Sequence, residues 1–188
     1  MRCFIAIDID EQIRKSLARL QDELQGKADI KKSDANWVNP ETIHLTLKFL
    51  GEIKDEQVVD VCNITRDVAS QHERFELDVE SVGHFGGASA RVLWVGMGQN
   101  CDKLLQLQED LELQLDLAGW PMETRQFSGH LTLCRIRNAG AGVKLAQMAR
   151  EYKDFKLGNM PADSVSVYQS QLTPKGPVYT VLGNYRLL

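Results

Sequence analysis

The chain has 188 residues, of which 43% are hydrophobic and 26% are charged, and its formal net charge is −4. These values are typical of a globular protein with one well-buried domain or two small lobes. The negative net charge excludes a strong overall electrostatic attraction for nucleic acid. Any binding to RNA must therefore come from a local basic patch or from recognition of a small terminal group.

The cysteines and the apolar residues predict a reduced, cytoplasmic protein that does not bind a membrane. The four cysteines form no C-x-x-C pair and no metal-ligand spacing with histidine, which argues against disulfides and a zinc site. Asp8 comes too early for a signal peptide, and no apolar run approaches the roughly 20 residues that span a membrane. We therefore expect a monomer with no metal, no other cofactor and no protein partner.

The first half of the chain predicts strands and helices in alternation. In order, these are a strand over 2–9, a helix from a cap at Asp10 to a stop at Gly26, a loop over 27–36, a strand from His44, a helix over 58–69, and a strand over 75–79 that the glycines at 83–87 break.

The second half repeats this order from Arg91. Its segments are a strand over 91–97, a helix over 101–118, a strand from His130, a weaker helix over 142–152, a strand over 165–168 and a last strand over 178–187. The opening strands (2 and 91) and the histidines (44 and 130) have nearly equal offsets, which indicates an internal repeat.

A repeat unit of this size cannot bury its sheet alone. We therefore predict an α+β fold with one domain over 1–188, made of two interleaved lobes at approximately 1–88 and 89–188. The lobes are related by a pseudo-two-fold duplication, and each is a mainly antiparallel sheet with helices on its outer face. The active-site groove is predicted between the lobes.

The tetrapeptide His-Leu-Thr-Leu occurs twice, at 44–47 and 130–133. Strand alternation puts each histidine and its threonine on one face and the leucines on the other. At a rise of about 3.3 Å per residue, both polar side chains can touch one small anionic group. Two such strands facing each other supply an acid, a base and two neutral hydrogen-bond donors.

Two cations compete for a place beside that anion. Strict alternation puts Lys48 on the face of His44 and Thr46. Arg135 falls on the leucine face unless its strand twists or bulges after Cys134.

The chain resembles the two-histidine (2H) phosphoesterase superfamily, whose mark is H-x-[ST]-x twice in one chain. Within it, the match is to the bacterial and archaeal RNA 2′,3′-cyclic phosphodiesterases, also called RNA 2′-5′ ligases. The matching segments are 4–8, 37–51, 91–96, 125–127 and 130–133, together with Arg135, Gly176 and Tyr179. Gly129 stands where family members usually have proline, which loosens the approach to the second motif but removes no chemical group.

The resemblance implies metal-independent hydrolysis of RNA 2′,3′-cyclic phosphate ends to 2′-phosphomonoesters, with 2′-5′ ligation as the reverse reaction. It implies that His44 donates a proton to the 3′ oxygen and that His130 accepts one from water. Histidine suits both roles near neutral pH, but the residues alone do not distinguish two nearly identical motifs.

The remaining candidate residues bind substrate. Thr46 and Thr132 would donate hydrogen bonds to the non-bridging phosphate oxygens, where charge develops in the transition state. The resemblance adds Arg135 as a phosphate ligand. Phe127 is a candidate for stacking on a base, as aromatic side chains do with unpaired nucleotides.

Alternative functions stay open. The same acid and base suit 2′-5′-linked oligonucleotides or a small nucleotide cyclic phosphate. A non-catalytic module that binds RNA ends is a different class, and a metallohydrolase is a third, against which the lack of clustered Asp, Glu and His argues.

Overall fold

The computed structural model describes residues 1–99, 101–174 and 176–188, which form two antiparallel sheets and four helices. The strands are β1 (Arg2–Asp8), β2 (Ala35–Trp37), β3 (His44–Glu52), β4 (Phe75–Phe85), β5 (Val92–Met97), β6 (His130–Ile136), β7 (Lys156–Ala162), β8 (Ser164–Thr173) and β9 (Gly176–Arg186). The helices are α1 (Glu11–Lys27), α2 (Gln57–Ala69), α3 (Asp102–Leu117) and α4 (Ala139–Glu151). A short 3-10 turn, Pro40–Thr42, precedes β3.

Each sheet takes strands from both halves of the chain. The first sheet has the order β3-β1-β8-β9, and the second has the order β2-β6-β5-β4-β7. The triplet β3-β1-β8 corresponds to β6-β5-β4, because each half forms two neighbouring strands and sends a later strand to the other sheet. The predicted α+β fold with a pseudo-two-fold duplication is confirmed. Residue 88, near the predicted repeat boundary, lies between β4 and β5, which pair with each other in one sheet.

The helices connect the two sheets into one core. Helix α1 follows β1 of the first sheet but contacts β7 of the second, and α3 joins β5 to β6 of the second but contacts β3 of the first. Helix α2 packs on β8 and β9, and α4 packs on β4, β5 and β6. The buried apolar residues of both sheets form one continuous cluster, so the lobes share an interior. None of the helices in the described ranges combines the length and apolar character needed to cross a bilayer.

The sequence patterns missed β2 and β7, which are edge strands. Strand β7 contains Gly158 and Pro161, and an edge position tolerates them because a proline there removes no central ladder bond. The predicted break at 83–87 was wrong for its first residues, since β4 continues to Phe85. Gly83 is needed there because a Cβ would lie 2.2 Å from Cη2 of Trp94, whose ring covers the backbone.

Candidate active site

The two motif histidines occupy equivalent positions, as the first residues of β3 and β6, and these strands contact each other. The His130 ring donates from Nδ1 to the Ser128 carbonyl at 2.7 Å, and the His44 ring is hydrogen-bonded to the Thr42 backbone. A carbonyl only accepts, so Nδ1 of His130 carries its proton and Nε2 is left for other partners. Each ring is therefore held by a backbone group two residues before it.

A one-residue bulge occurs at the same point of both motif strands. In β3 the pairing with β1 skips Leu47, and in β6 the pairing with β5 skips Leu133. A bulge puts two consecutive residues on one side and reverses the alternation beyond it. Lys48 and Cys134 consequently turn inward.

Because of the bulges, the residue five positions after each histidine lies on the same face of the strand as that histidine. Phe49 in β3 and Arg135 in β6 return to the histidine face, and both side chains are exposed, Phe49 to 64%. Arg135 was expected on this face only if its strand bulged, and it does. Phe49 was not predicted, because nothing in a single sequence marks the bulge.

The predicted position of Lys48 was wrong. Its side chain is only 7% exposed, and Nζ donates to the Glu112 carboxylate at 2.5 Å and to the Pro121 carbonyl at 2.7 Å. The bulge turns Lys48 away from His44 and into an ion pair with helix α3. Of the two cations that the motif strands carry, Arg135 and not Lys48 therefore lies on the histidine face.

Both motif threonines lie on the histidine face and are half-buried. Thr46 is opposite Ala6 in β1, and Thr132 is opposite Trp94 in β5. Neither hydroxyl is hydrogen-bonded to another residue in the described part of the chain. The two donors are therefore free to bind a ligand.

Arg135 and Tyr179 connect the surroundings of the two histidines. Burial lowers the pKa of His130, and the nearby positive charge of Arg135 lowers it further. The same charge opposes the rise that burial causes in the pKa of Tyr179. The Tyr179 ring packs edge-on against His44, with centroids 5.1 Å apart. The charge of Arg135 thus acts both on His130 and on the ring that contacts His44.

Comparison with known proteins agrees with this duplicated arrangement. A family model described as LigT like Phosphoesterase matches the chain twice, over residues 7–94 and 95–179. The chain belongs to this family.

Individual relatives span the whole chain. A protein named RNA 2′,3′-cyclic phosphodiesterase from Methanothermobacter thermautotrophicus is 34% identical, over 100% of this chain and 99% of that protein. One of the same name from Methanocaldococcus jannaschii is 30% identical, over 97% of this chain and 98% of that protein. The crystal structure of TT0787 of Thermus thermophilus is 27% identical, with a TM-score of 0.80, and covers 100% of this chain and 98% of that one.

In this LigT-like phosphoesterase the two histidines have different charged neighbours. Asp8 pairs with His44 across β1 and β3, whereas the equivalent partner of His130 in β5 is Gly96. The Asp8 carboxylate accepts hydrogen bonds from the Ser166 hydroxyl at 2.9 Å and from the hydroxyl of Tyr168. One histidine therefore has a carboxylate beside it, and the other has a guanidinium.

Burial dominates the titration of His44 despite that carboxylate. It lowers the pKa of His44 to about 4, while the Thr42 backbone and Asp8 act in the opposite direction. Phe4 contributes to the burial, because its ring stacks on the imidazole with centroids 4.5 Å apart. Burial therefore lowers the pKa of both rings and favours their uncharged form in the free LigT-like phosphoesterase.

The first sheet supplies an aromatic surface around His44. A groove of about 370 Å³ beside this ring is lined by residues that include Asp8, Tyr168 and Tyr179. Phe127, predicted as a stacking residue, is half-buried and packs against the hydrophobic core. Among the described residues, no three His, Cys, Asp or Glu side chains group together as a metal site would require.

Proposed function

We propose that this LigT-like phosphoesterase hydrolyses 2′,3′-cyclic phosphate ends of RNA to 2′-phosphomonoesters by acid-base catalysis with His44 and His130. The relatives named RNA 2′,3′-cyclic phosphodiesterase support the substrate. The observation that carries the mechanism is the pair of backbone-anchored imidazoles on contacting strands, with two free threonine hydroxyls on the same faces.

His130 acts as the general base. Its Nδ1 proton is engaged by Ser128, so the lone pair of Nε2 is available to accept a proton from the attacking water. Burial and the charge of Arg135 both lower the pKa of His130, which keeps the ring neutral and able to accept. The water oxygen then bonds to phosphorus while the bond from phosphorus to the 3′ oxygen breaks.

His44 acts as the general acid and gives its proton to the departing 3′ oxygen. Its pKa of about 4 in the free protein opposes this role. A bound phosphate anion favours the imidazolium, and Asp8 acts in the same direction, so substrate binding raises the pKa and charges the acid. After the reaction His130 holds the water proton, and exchange with solvent restores both rings.

Thr46 and Thr132 donate hydrogen bonds to the non-bridging oxygens, and Arg135 neutralises charge that develops there. Removing one donor of this kind costs about 10²–10³ in kcat. The base of the terminal nucleotide stacks on Phe49, an aromatic residue on the histidine face that is 64% exposed. The same acid and base, acting in reverse, join a cyclic phosphate end to a 5′-hydroxyl through a 2′-5′ bond.

The test is to incubate the protein and a chelator with an RNA that ends in a 2′,3′-cyclic phosphate, and to identify which hydroxyl keeps the phosphate. We expect only the 2′-phosphate, and loss of turnover in His44→Gln and His130→Gln. His72→Gln is the control, since that ring pairs with exposed Asp110. A 3′-phosphate product, loss of activity with chelator, or binding without turnover would each contradict the proposal.

A further inference from the structure

An arginine outside both motifs lies on the histidine face of the first sheet. Alternation along β1 places Arg2 on the same face as Phe4, Ala6 and Asp8. The last three are opposite Phe49, Thr46 and His44, respectively. This face therefore runs from the motif, past the exposed aromatic ring of Phe49, to the guanidinium of Arg2.

The spacing along β1 fits one nucleotide. Arg2 and Ala6, the residue opposite Thr46, are four residues apart, which is about 13 Å of strand. An extended arginine side chain reaches back over part of that distance. A phosphate at Thr46 and a second phosphate at Arg2 are therefore separated by a span that a single nucleoside can bridge, with its base at Phe49.

The charge of Arg2 reaches the aromatic ring of Tyr179, which contacts His44. Tyr179 packs edge-on against both Phe4 and His44, each at a centroid distance of 5.1 Å. After the larger effect of burial, which raises the pKa of Tyr179, the positive charges of Arg135 and Arg2 lower it. Arg2 and Arg135 belong to different sheets, and the charges of both act on this ring.

Arg2 is available to a ligand. It is exposed, and it makes no hydrogen bond or ion pair through its side chain with any residue of the described ranges. Its cross-strand neighbour Glu52 instead pairs with the terminal amine of Met1 at 3.6 Å. In a chain with a net charge of −4, a free cation one nucleoside away from the reacting phosphate is a local attraction for a polyanion.

We propose that Arg2 binds the phosphodiester that joins the terminal nucleotide to the preceding one, so that the site prefers oligoribonucleotides over mononucleotide cyclic phosphates. This inference rests on the proposed function, because it takes the reacting phosphate to lie at Thr46. Arg2 does not touch the reacting atoms. It determines substrate length through binding, and because it contacts a phosphate it does so independently of base sequence.

The experiment compares two substrates that share one terminal nucleoside: cytidine 2′,3′-cyclic phosphate and a dinucleotide ending in the same cyclic phosphate. Arg2→Met should lower kcat/KM for the dinucleotide about tenfold, mainly through KM, and leave the mononucleotide unchanged. Arg2→Lys should recover part of the loss. Arg74→Met, which removes an exposed arginine between α2 and β4, is the matched control.

The salt dependence of the reaction distinguishes phosphate binding by Arg2 from a purely structural role of this residue, which would leave the salt dependence unchanged. The slope of log kcat/KM against log salt for the dinucleotide should become less negative by about 0.7 in Arg2→Met, the value for one lost phosphate contact on a single strand. Equal losses on both substrates, or no loss on either, would overturn the inference and leave the proposed function intact. If the wild-type protein hydrolyses neither substrate, the proposed function itself fails.

Discussion

Replacing Lys48 by methionine tests whether the bulge in β3 turns this residue into the interior. The Glu112 side chain, which is 6% exposed, would lose its charged partner at 2.5 Å. It would keep only hydrogen bonds from the Gln108 amide and the Glu123 backbone, each at 3.1 Å. Removing one partner of a buried pair costs about 3–5 kcal/mol, because the remaining charge is left desolvated. For a chain of this size, we expect the Tm to fall by roughly 6–20 °C.

The assay is urea and thermal unfolding followed by circular dichroism. Lys15→Met is the matched control, because Lys15 also pairs at 2.5 Å, with Glu11, but both side chains of this pair are more than half exposed. The control should leave the Tm unchanged. The double variant Lys48→Met/Glu112→Gln should recover part of the stability, since it removes the orphaned charge and its single amide oxygen can still accept one of the two hydrogen bonds.

Two results would refute this reasoning. If Lys48→Met and the control have the same small effect, Lys48 is a solvated charge and the strand does not bulge as described. If the double variant is as unstable as Lys48→Met, the loss comes from packing and not from an uncompensated carboxylate.

Three further predictions concern the site. The NMR titration of His44 should give a pKa near 4 in the free protein. Inorganic phosphate should raise that pKa and Asp8→Asn should lower it; an unchanged value with phosphate would remove the proposed route for charging the acid. Phe49→Ala should raise KM for RNA about tenfold or more through lost stacking, whereas Phe127→Ala should mainly lower the Tm; the reverse pattern would restore Phe127 as the stacking residue. Gly83→Ala should lower both stability and activity, because its Cβ displaces the indole that packs near the second motif; a neutral result would contradict that packing.

The sequence by itself determined the internal repeat, the main strands and helices, and the faces of His44, Thr46, His130 and Thr132. These features follow from short-range rules, namely strand alternation and helical spacing, that need only neighbouring residues. The roles of the four residues stay predictions. Strand alternation alone was enough to predict that each histidine lies on the same face of its strand as its threonine.

The tertiary structure decided which residues complete the site. A bulge depends on the hydrogen-bond register with a partner strand, so only the pairing of β3 with β1 and of β6 with β5 reveals it. That pairing buries Lys48 and exposes Phe49 and Arg135. It also sets Asp8 beside one histidine and Gly96 beside the other. The two motifs are nearly identical as sequences, and they become chemically different because their partner strands differ.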